Sequence, residues 1–128
     1  MRVLLDTNAL IWAALSRASL SRKAATLIAD PANEILVSAA SAWEIATKVR
    51  IGKLPQAVAL EARFIEAMNE SGYTLLSIDT ETALRAARFV SVHRDPFDRV
   101  IAAHALALDI PIISIDAKLD AFGIRRIW

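Results

Sequence analysis

Short apolar runs, separated by segments with helical periodicity, recur along the 128-residue chain. Four of them predict buried strands, at residues 3–5, 35–37, 75–78 and 112–115, and a weaker fifth lies at 124–128. Polar and apolar residues do not alternate within these runs, which indicates that both faces of each strand are covered. Strands of this kind are typical of a parallel sheet packed between two layers of helices.

Helical patterns fill the intervals between the predicted strands, at residues 8–15, 22–29, 41–51 and 98–108. Two more helices are predicted from apolar repeats, one at Leu60, Phe64 and Met68 and the other at Ala83, Ala87 and Val90. We therefore expect a single α/β domain over residues 1–128, with a doubly wound parallel sheet of four to five strands and helices on both faces. Ligands of such sheets bind at the carboxyl ends of the strands.

Composition narrows the chemistry that this domain can perform. The chain has no cysteine and only two histidines, His93 and His104, so neither a thiolate site nor a zinc site is expected. Any bound metal would be held by oxygen, which favours Mg²⁺ or Mn²⁺. Hydrophobic residues make up 55% of the chain, which is high for a small domain, so we expect an apolar surface covered by a second copy or by another protein.

The net charge of +1 creates no overall attraction to nucleic acid. Arginine nevertheless outnumbers lysine, and its guanidinium suits phosphate contacts. No apolar run is long enough to cross a membrane, and the run at the N-terminus is too short for a signal peptide. We therefore expect a cytoplasmic protein.

Acidic residues stand where predicted strands end and helices begin. Asp6 and Asp116 directly follow two of the strands, and Glu44 and Asp98 lie at the starts of two helices. Each has a purely structural interpretation. Asp caps helix N-termini, Glu44 fits a capping box with Ser41, and Asp98 suits the first turn of a helix.

Taken together, the four acids indicate more than helix caps. A doubly wound fold brings such helix starts to one edge of the sheet, where two carboxylates ~5 Å apart repel by ~3 kcal/mol at an effective dielectric of ~20. No lysine adjoins Asp6 or Glu44 in the sequence to offset this repulsion. A divalent cation would offset it, and would also activate water and stabilise a phosphate that undergoes displacement.

Four short motifs resemble those of PIN domains. Three are Leu4-Leu5-Asp6-Thr7-Asn8, Ser41-Ala42-Trp43-Glu44-Ile45 and Ser114-Ile115-Asp116. The fourth is the most specific and resembles a motif of bacterial VapC-type toxins: His93-Arg94-Asp95-Pro96-Phe97-Asp98-Arg99-Val100-Ile101-Ala102-Ala103. Motif order, spacing and total length are similar over essentially the whole chain.

The resemblance implies a metal-dependent endoribonuclease that cleaves RNA phosphodiester bonds, as the toxin of a type II toxin–antitoxin pair. It implies Mg²⁺, with Mn²⁺ as a substitute, and as partners RNA, a cognate antitoxin and a second copy of the chain. The implied catalytic and metal-binding residues are Asp6, Glu44, Asp98 and Asp116, the last directly or through water, and the site-shaping residues are Thr7 and Asn8. Asp95 competes with Asp98 for its role, and the Val-Ile-Ala-Ala stretch favours Asp98.

Several other side chains are candidates for contacts with RNA or a partner. The basic candidates, which alternatively form solvated helix faces, are Arg94, Arg99, Lys48, Arg50 and Lys53. Trp12 and Trp43 are candidates for base stacking or antitoxin docking, although packing in the core is the favoured interpretation. His93 is interpreted as structural.

Three other functions compete with RNA cleavage. A receiver-type phosphoacceptor domain has paired acids after its first strand and a basic residue after its last strand. In this chain Asp6 is followed by Thr7, and Asp116 stands where the basic residue would be. A haloacid-dehalogenase-type phosphatase has a second acid two residues after its nucleophile, a position held here by Asn8. A non-catalytic PIN-like module that binds RNA or a partner stays open, and a cleavage assay with metal separates it from an enzyme.

Overall fold

A five-stranded parallel sheet forms the centre of the structure, a computed structural model that describes residues 1–128. Its strands are β1 (Arg2–Leu5), β2 (Glu34–Ser38), β3 (Thr74–Leu76), β4 (Ile112–Ile113) and β5 (Arg126–Ile127). Their order across the sheet is β3-β2-β1-β4-β5, and every neighbouring pair is parallel. The chain winds one way from β1 to β3 and the other way from β4 to β5, so its winding direction switches between β1 and β4.

Seven α-helices and three 3₁₀ segments connect the strands. The α-helices are α1 (Thr7–Leu15), α2 (Arg22–Ala29), α3 (Ala39–Arg50), α4 (Val58–Ala62), α5 (Phe64–Glu70), α6 (Thr80–Arg88) and α7 (Pro96–Leu108). The 3₁₀ segments are Arg17–Ser19, Pro55–Ala57 and Ala117–Phe122. None of the helices combines the length and the apolar character needed to cross a bilayer. The predicted α/β fold is confirmed, although the strands predicted at 75–78 and 112–115 each extend two residues past the observed strand end.

Each face of the sheet has its own hydrophobic core. Val3 and Leu5 point to one face and pack with residues of helices α1 to α5, whereas Leu4 points to the other face and packs with residues of α6, α7 and the last 3₁₀ segment. Alternate residues of β1 therefore lie in different cores, and all three are fully buried. This two-sided burial explains why the strand sequences do not alternate in polarity.

The helix predicted from the repeat of Leu60, Phe64 and Met68 is in fact two helices. The backbone leaves the helical conformation at Arg63 (φ −126°, ψ 36°), which separates α4 from α5. Leu60 and Met68 are buried in the same core, so the repeat correctly marks the buried side of the segment.

The apolar face predicted for α6 is wrong. The helix buries Thr82 and Ala86, whereas Ala83 and Ala87 are exposed. Val90 lies beyond the end of the helix and is 101% exposed. Because alanines occur on both sides of α6, their spacing alone does not identify the side that packs against α7.

Candidate active site

The carboxyl end of β1 places Asp6 beside the end of β4. Asp6 is only 5% exposed. Its Oδ2 accepts a 2.5 Å hydrogen bond from the Ser114 hydroxyl, and its Oδ1 accepts one of 2.8 Å from the backbone N–H of Ala9. The predicted helix cap of α1 is therefore present, and both carboxylate oxygens are held in place.

Glu44 lies inside α3, one and a half turns from its start. The helix is capped by Ser38 and begins at Ala39, so the predicted capping box from Ser41 is wrong. Glu44 is buried, and its Oε2 accepts a 2.6 Å hydrogen bond from Lys48 Nζ one turn further on. Lys48 thus neutralises Glu44, contrary to the expectation that no lysine offsets this acid. The i,i+4 spacing of the two residues on a helix is the sequence feature that indicates this ion pair.

Asp98 lies in the first turn of α7. Asp95 caps this helix by accepting from the backbone N–H groups of Phe97 (2.9 Å) and Asp98 (3.3 Å). The Asp98 side chain takes a different partner, since its Oδ2 lies 2.9 Å from His93 Nε2. His93, interpreted from the sequence as structural, therefore touches one of the acids predicted to bind metal.

Asp116 follows β4 and starts the last 3₁₀ segment. Its Oδ1 accepts from the backbone N–H of Lys118 (3.0 Å), which is the predicted capping role. Its own backbone N–H donates to the Ser114 hydroxyl (2.9 Å). One hydroxyl group therefore links the backbone of Asp116 to the carboxylate of Asp6.

These acids line one cavity of about 150 Å³, and no hydrophobic residue contributes to its lining. The lining residues are Asp6, Thr7, Asn8, Glu44, Lys48, Asp95, Asp98 and Asp116. The structure thus brings together the four predicted acids, both predicted site-shaping residues and the competing Asp95. The Thr7 hydroxyl also lies 3.0 Å from the Ser41 hydroxyl, which joins α1 to α3 beside the cavity.

Burial and like charge both act on the carboxylates of this cavity. The pKa of Asp6 is raised to about 6, first of all by burial and further by the charges of Asp98 and Asp116, while hydrogen bonds from Ser114 and Ala9 oppose the increase. Burial also raises the pKa of Asp98, opposed by the hydrogen bond from His93. The ionised cluster therefore favours a positively charged ligand.

The chemistry of the donors fits a hard divalent cation. Carboxylate oxygens without cysteine or histidine nitrogen are the ligands that Mg²⁺ and Mn²⁺ prefer. In the arrangement that the structure shows, no group of three or more acidic or histidine side chains could hold a metal ion. A bound divalent cation would therefore draw the carboxylates closer together. The shared cation would offset the repulsion between their negative charges.

Arg99 is not free to bind RNA. Its guanidinium donates hydrogen bonds to five backbone carbonyl groups, those of Ala86, Ala87, Phe89, Ser91 and His93. The predicted RNA contact of this residue would therefore require some of these hydrogen bonds to break. Arg94, Arg50 and Lys53 are exposed and lie outside the cavity lining, whereas Lys48 belongs to it.

The two tryptophans considered from the sequence have different surroundings. Trp12 is partly buried and packs against Trp128, with ring centroids 5.7 Å apart, in agreement with the core interpretation. Trp43 is 56% exposed and meets Phe97 edge to face at 4.8 Å, so its predicted core packing is wrong. Trp43 and Phe97 directly precede Glu44 and Asp98, so this aromatic contact lies beside the acidic cavity.

A family model described as "PIN domain" matches residues 3–124. This chain belongs to the PIN domain family. The match includes all four acids predicted for the site, and the resemblance noted from the sequence motifs is confirmed.

One curated relative of this PIN domain is ribonuclease VapC16 of Mycobacterium tuberculosis. The two are 44% identical over 62 residues, which cover 48% of this chain and 44% of that protein. The chain therefore matches less than half the length of that relative.

Solved structures share the fold over nearly the whole PIN domain. VapBC2 from Rickettsia felis, bound to a DNA fragment from its promoter, matches with a TM-score of 0.70 and 14% identity over 99% of this chain and 98% of that chain. VapC20 from Mycobacterium tuberculosis, a Sarcin-Ricin loop cleaving toxin, matches with a TM-score of 0.66 and 20% identity over 95% of each chain. At these identities the structural likeness establishes the fold alone.

Proposed function

We propose that this PIN domain is an endoribonuclease that cleaves RNA phosphodiester bonds with a bound Mg²⁺ or Mn²⁺. The observation that carries the proposal is the convergence of Asp6, Glu44, Asp98 and Asp116 on one wholly polar cavity. The cavity lies where β1 and β4 end, at the switch in winding direction, which is the usual ligand position in such sheets. The local similarity to ribonuclease VapC16 supports the same reaction.

The four carboxylates are the residues that would hold the ion. When bound, the ion supplies an activated water and positive charge for the phosphate that is cleaved. The chain itself fixes the donors, since Ser114 and the N–H of Ala9 immobilise both oxygens of Asp6. Lys48, whose side chain is 41% exposed and lines the cavity, would bind a phosphate oxygen of RNA.

Substitution of the acids tests this proposal. Asp6→Asn, Glu44→Gln and Asp98→Asn should each abolish cleavage of RNA in Mg²⁺ and leave the protein folded, because each removes a charged oxygen donor but keeps its shape. Asp116→Asn should have an equal or milder effect. Glu81→Gln, at an exposed acid of α6, is the matched control and should cleave normally. Undiminished cleavage in excess chelator would exclude the metal-dependent reaction.

The alternative is a PIN domain that binds RNA or a partner without cutting it. The ion pair between Lys48 and Glu44 favours this function, because an ammonium group already neutralises one of the acids. The same cleavage assay decides between the two, since a binding module would retain RNA on a filter in Mg²⁺ and release no shortened product.

We further infer that the protein is a cytoplasmic toxin that pairs with an antitoxin protein and forms a homodimer. Support comes from structural neighbours that are toxin–antitoxin complexes, among them those from Rickettsia felis and Klebsiella pneumoniae. Exposed apolar side chains such as Ile65, Val90 and Val92 are consistent with surfaces that a partner covers. Light scattering at micromolar concentration should give the mass of two copies, and a monomer would contradict the dimer.

A further inference from the structure

One arginine fixes the loop between α6 and α7, which comprises residues 89–95. Arg99 Nε donates to the carbonyl of Ala86 (2.8 Å), and its two terminal nitrogens donate to four further carbonyl groups. The shortest of these contacts reach Phe89 (2.6 Å) and His93 (2.8 Å). All five N–H groups of the guanidinium are therefore used to hold backbone atoms.

Apart from the rings of Phe89 and His93, which both pack on Phe122, the loop has little apolar anchorage. Val90 and Val92 are 101% and 94% exposed, whereas the carbonyl groups of the alternate residues Phe89, Ser91 and His93 all accept from Arg99. The rings of Phe89 and Phe122 lie 5.9 and 6.0 Å from the guanidinium carbon and 4.7 Å from each other, so the two rings pack together on one side of the guanidinium. Arg99 thus holds three carbonyl groups of the loop, in addition to the ring contacts that Phe89 and His93 make with Phe122.

The loop places the His93 imidazole against Asp98, one of the acids of the cavity. His93 Nε2 lies 2.9 Å from Asp98 Oδ2, and its ring meets Phe122 edge to face at 5.4 Å. The two side chains are only 15% and 18% exposed, so neither moves freely. The second oxygen of Asp98, Oδ1, has no hydrogen-bond partner in the chain, and Asp98 lines the cavity.

We propose that His93 is a positioning residue that orients the Asp98 carboxylate for a divalent cation, and that Arg99 acts through His93 by ordering the loop. The inference rests on the proposed function and adds two residues to its site. His93 donates its Nε2–H to one oxygen of Asp98, which stops rotation of the carboxylate and leaves the other oxygen to the ion. Hydrogen-bonded partners of this kind typically contribute about ten- to hundredfold to metal affinity.

The experiment is Mn²⁺ binding to the full chain without RNA, measured by isothermal titration calorimetry and by the electron paramagnetic resonance signal of Mn²⁺. His93→Gln and His93→Asn form a matched pair, because the longer Gln amide reaches Asp98 and the shorter Asn amide does not. His93→Phe keeps the ring against Phe122 and removes the donor. We expect wild-type affinity from His93→Gln, and a dissociation constant raised about tenfold or more by His93→Asn and His93→Phe.

Arg99→Lys tests the second part, since a lysine cannot donate to five carbonyl groups. It should weaken Mn²⁺ binding as His93→Asn does, whereas Arg88→Lys, at an exposed arginine of α6 that makes no ion pair, should not. Melting temperatures of the metal-free variants establish that each is folded. Equal affinity of His93→Phe and wild type, or no recovery by His93→Gln, would overturn the positioning role. Failure of the wild-type chain to bind Mn²⁺ would instead contradict the proposed function.

Discussion

The Ser114 hydroxyl donates a 2.5 Å hydrogen bond to Oδ2 of Asp6, although the two residues are 108 positions apart in the chain. The bond exists because β4 lies directly beside β1 in the sheet, which aligns the residues that follow the two strands. The hydroxyl donates its proton to Asp6, because an ionised carboxylate can only accept, and it accepts in turn from the backbone N–H of Asp116. Asp6 is therefore fixed from two strands at once, as a helix cap and as an oriented carboxylate of the cavity.

Asp6→Asn should stabilise the metal-free protein while it abolishes cleavage. Asn caps a helix about as well as Asp does, and it has no charge to bury. Raising the pKa of Asp6 from 3.8 to about 6 corresponds to at most about 3 kcal/mol of destabilisation at neutral pH. With part of the Ser114 hydrogen bond lost, we expect a net gain of about 1 to 2 kcal/mol in the free energy of unfolding by urea. A loss of stability with intact cleavage would show that Asp6 is only a helix cap.

The stabilising effect of Asp6→Asn should depend on pH. The pKa of Asp6 is higher in the folded protein than its ordinary value of 3.8, so the folded state binds the proton more tightly. This tighter proton binding stabilises the folded state of the wild type. The stabilisation is fully present below about pH 4 and is lost as the pH rises through about 6. The difference in unfolding free energy between the variant and wild type should therefore be small near pH 4, grow up to about pH 6 and stay constant above it. Urea titrations in chelator measure it, and a difference independent of pH would contradict the buried-carboxylate explanation.

Local sequence patterns were sufficient to predict the order of the elements and the acidic edge of the sheet. Short apolar runs mark buried strands, and the residue after such a run must lie at the carboxyl edge, which places Asp6 and Asp116 without knowledge of tertiary contacts. Asp98 follows from a helix start in the same way, whereas Glu44 lies about one and a half turns inside α3, which begins at Ala39 and not at Ser41.

Side-chain contacts with the irregular loop between α6 and α7 could not be predicted from local patterns. The sequence around Arg99 does not show whether its guanidinium binds phosphate or holds five backbone carbonyl groups, because the loop that it orders has no hydrophobic periodicity. The contact of His93 with Asp98 depends on that loop and was missed for the same reason. Core packing is the expectation for Trp43 because aromatic residues usually pack there, whereas its ring is 56% exposed and meets Phe97.

Lys48→Met should separate metal affinity from RNA affinity. The ammonium group lies 2.6 Å from Glu44 and competes with a cation for that carboxylate, so its removal should tighten Mn²⁺ binding by roughly three- to tenfold. The KM for RNA should rise, because a positive charge at the cavity is lost. Lys23→Met, at an exposed lysine of α2, is the control for charge alone. Weaker metal binding in Lys48→Met would mean that the lysine supports the site instead of competing with the ion.

Inhibition by the inferred antitoxin should weaken as the Mg²⁺ concentration rises. The ion pair of Lys48 and Glu44 shows that a side-chain cation fits among these carboxylates, and a partner protein that places an arginine or lysine there would replace the charge of the metal. An extended or helical segment of the antitoxin could approach along the exposed ring of Trp43, which lies beside the cavity. The partner cation and Mg²⁺ would then compete for Asp6, Glu44 and Asp98.

Titration of Mg²⁺ from about 0.1 to 10 mM at a fixed antitoxin concentration should therefore restore cleavage. NaCl of equal ionic strength is the control and should restore much less cleavage. Both salts screen charges, but only Mg²⁺ competes for the site. Inhibition that does not respond to Mg²⁺ would leave steric blockage as the mechanism and exclude charge replacement.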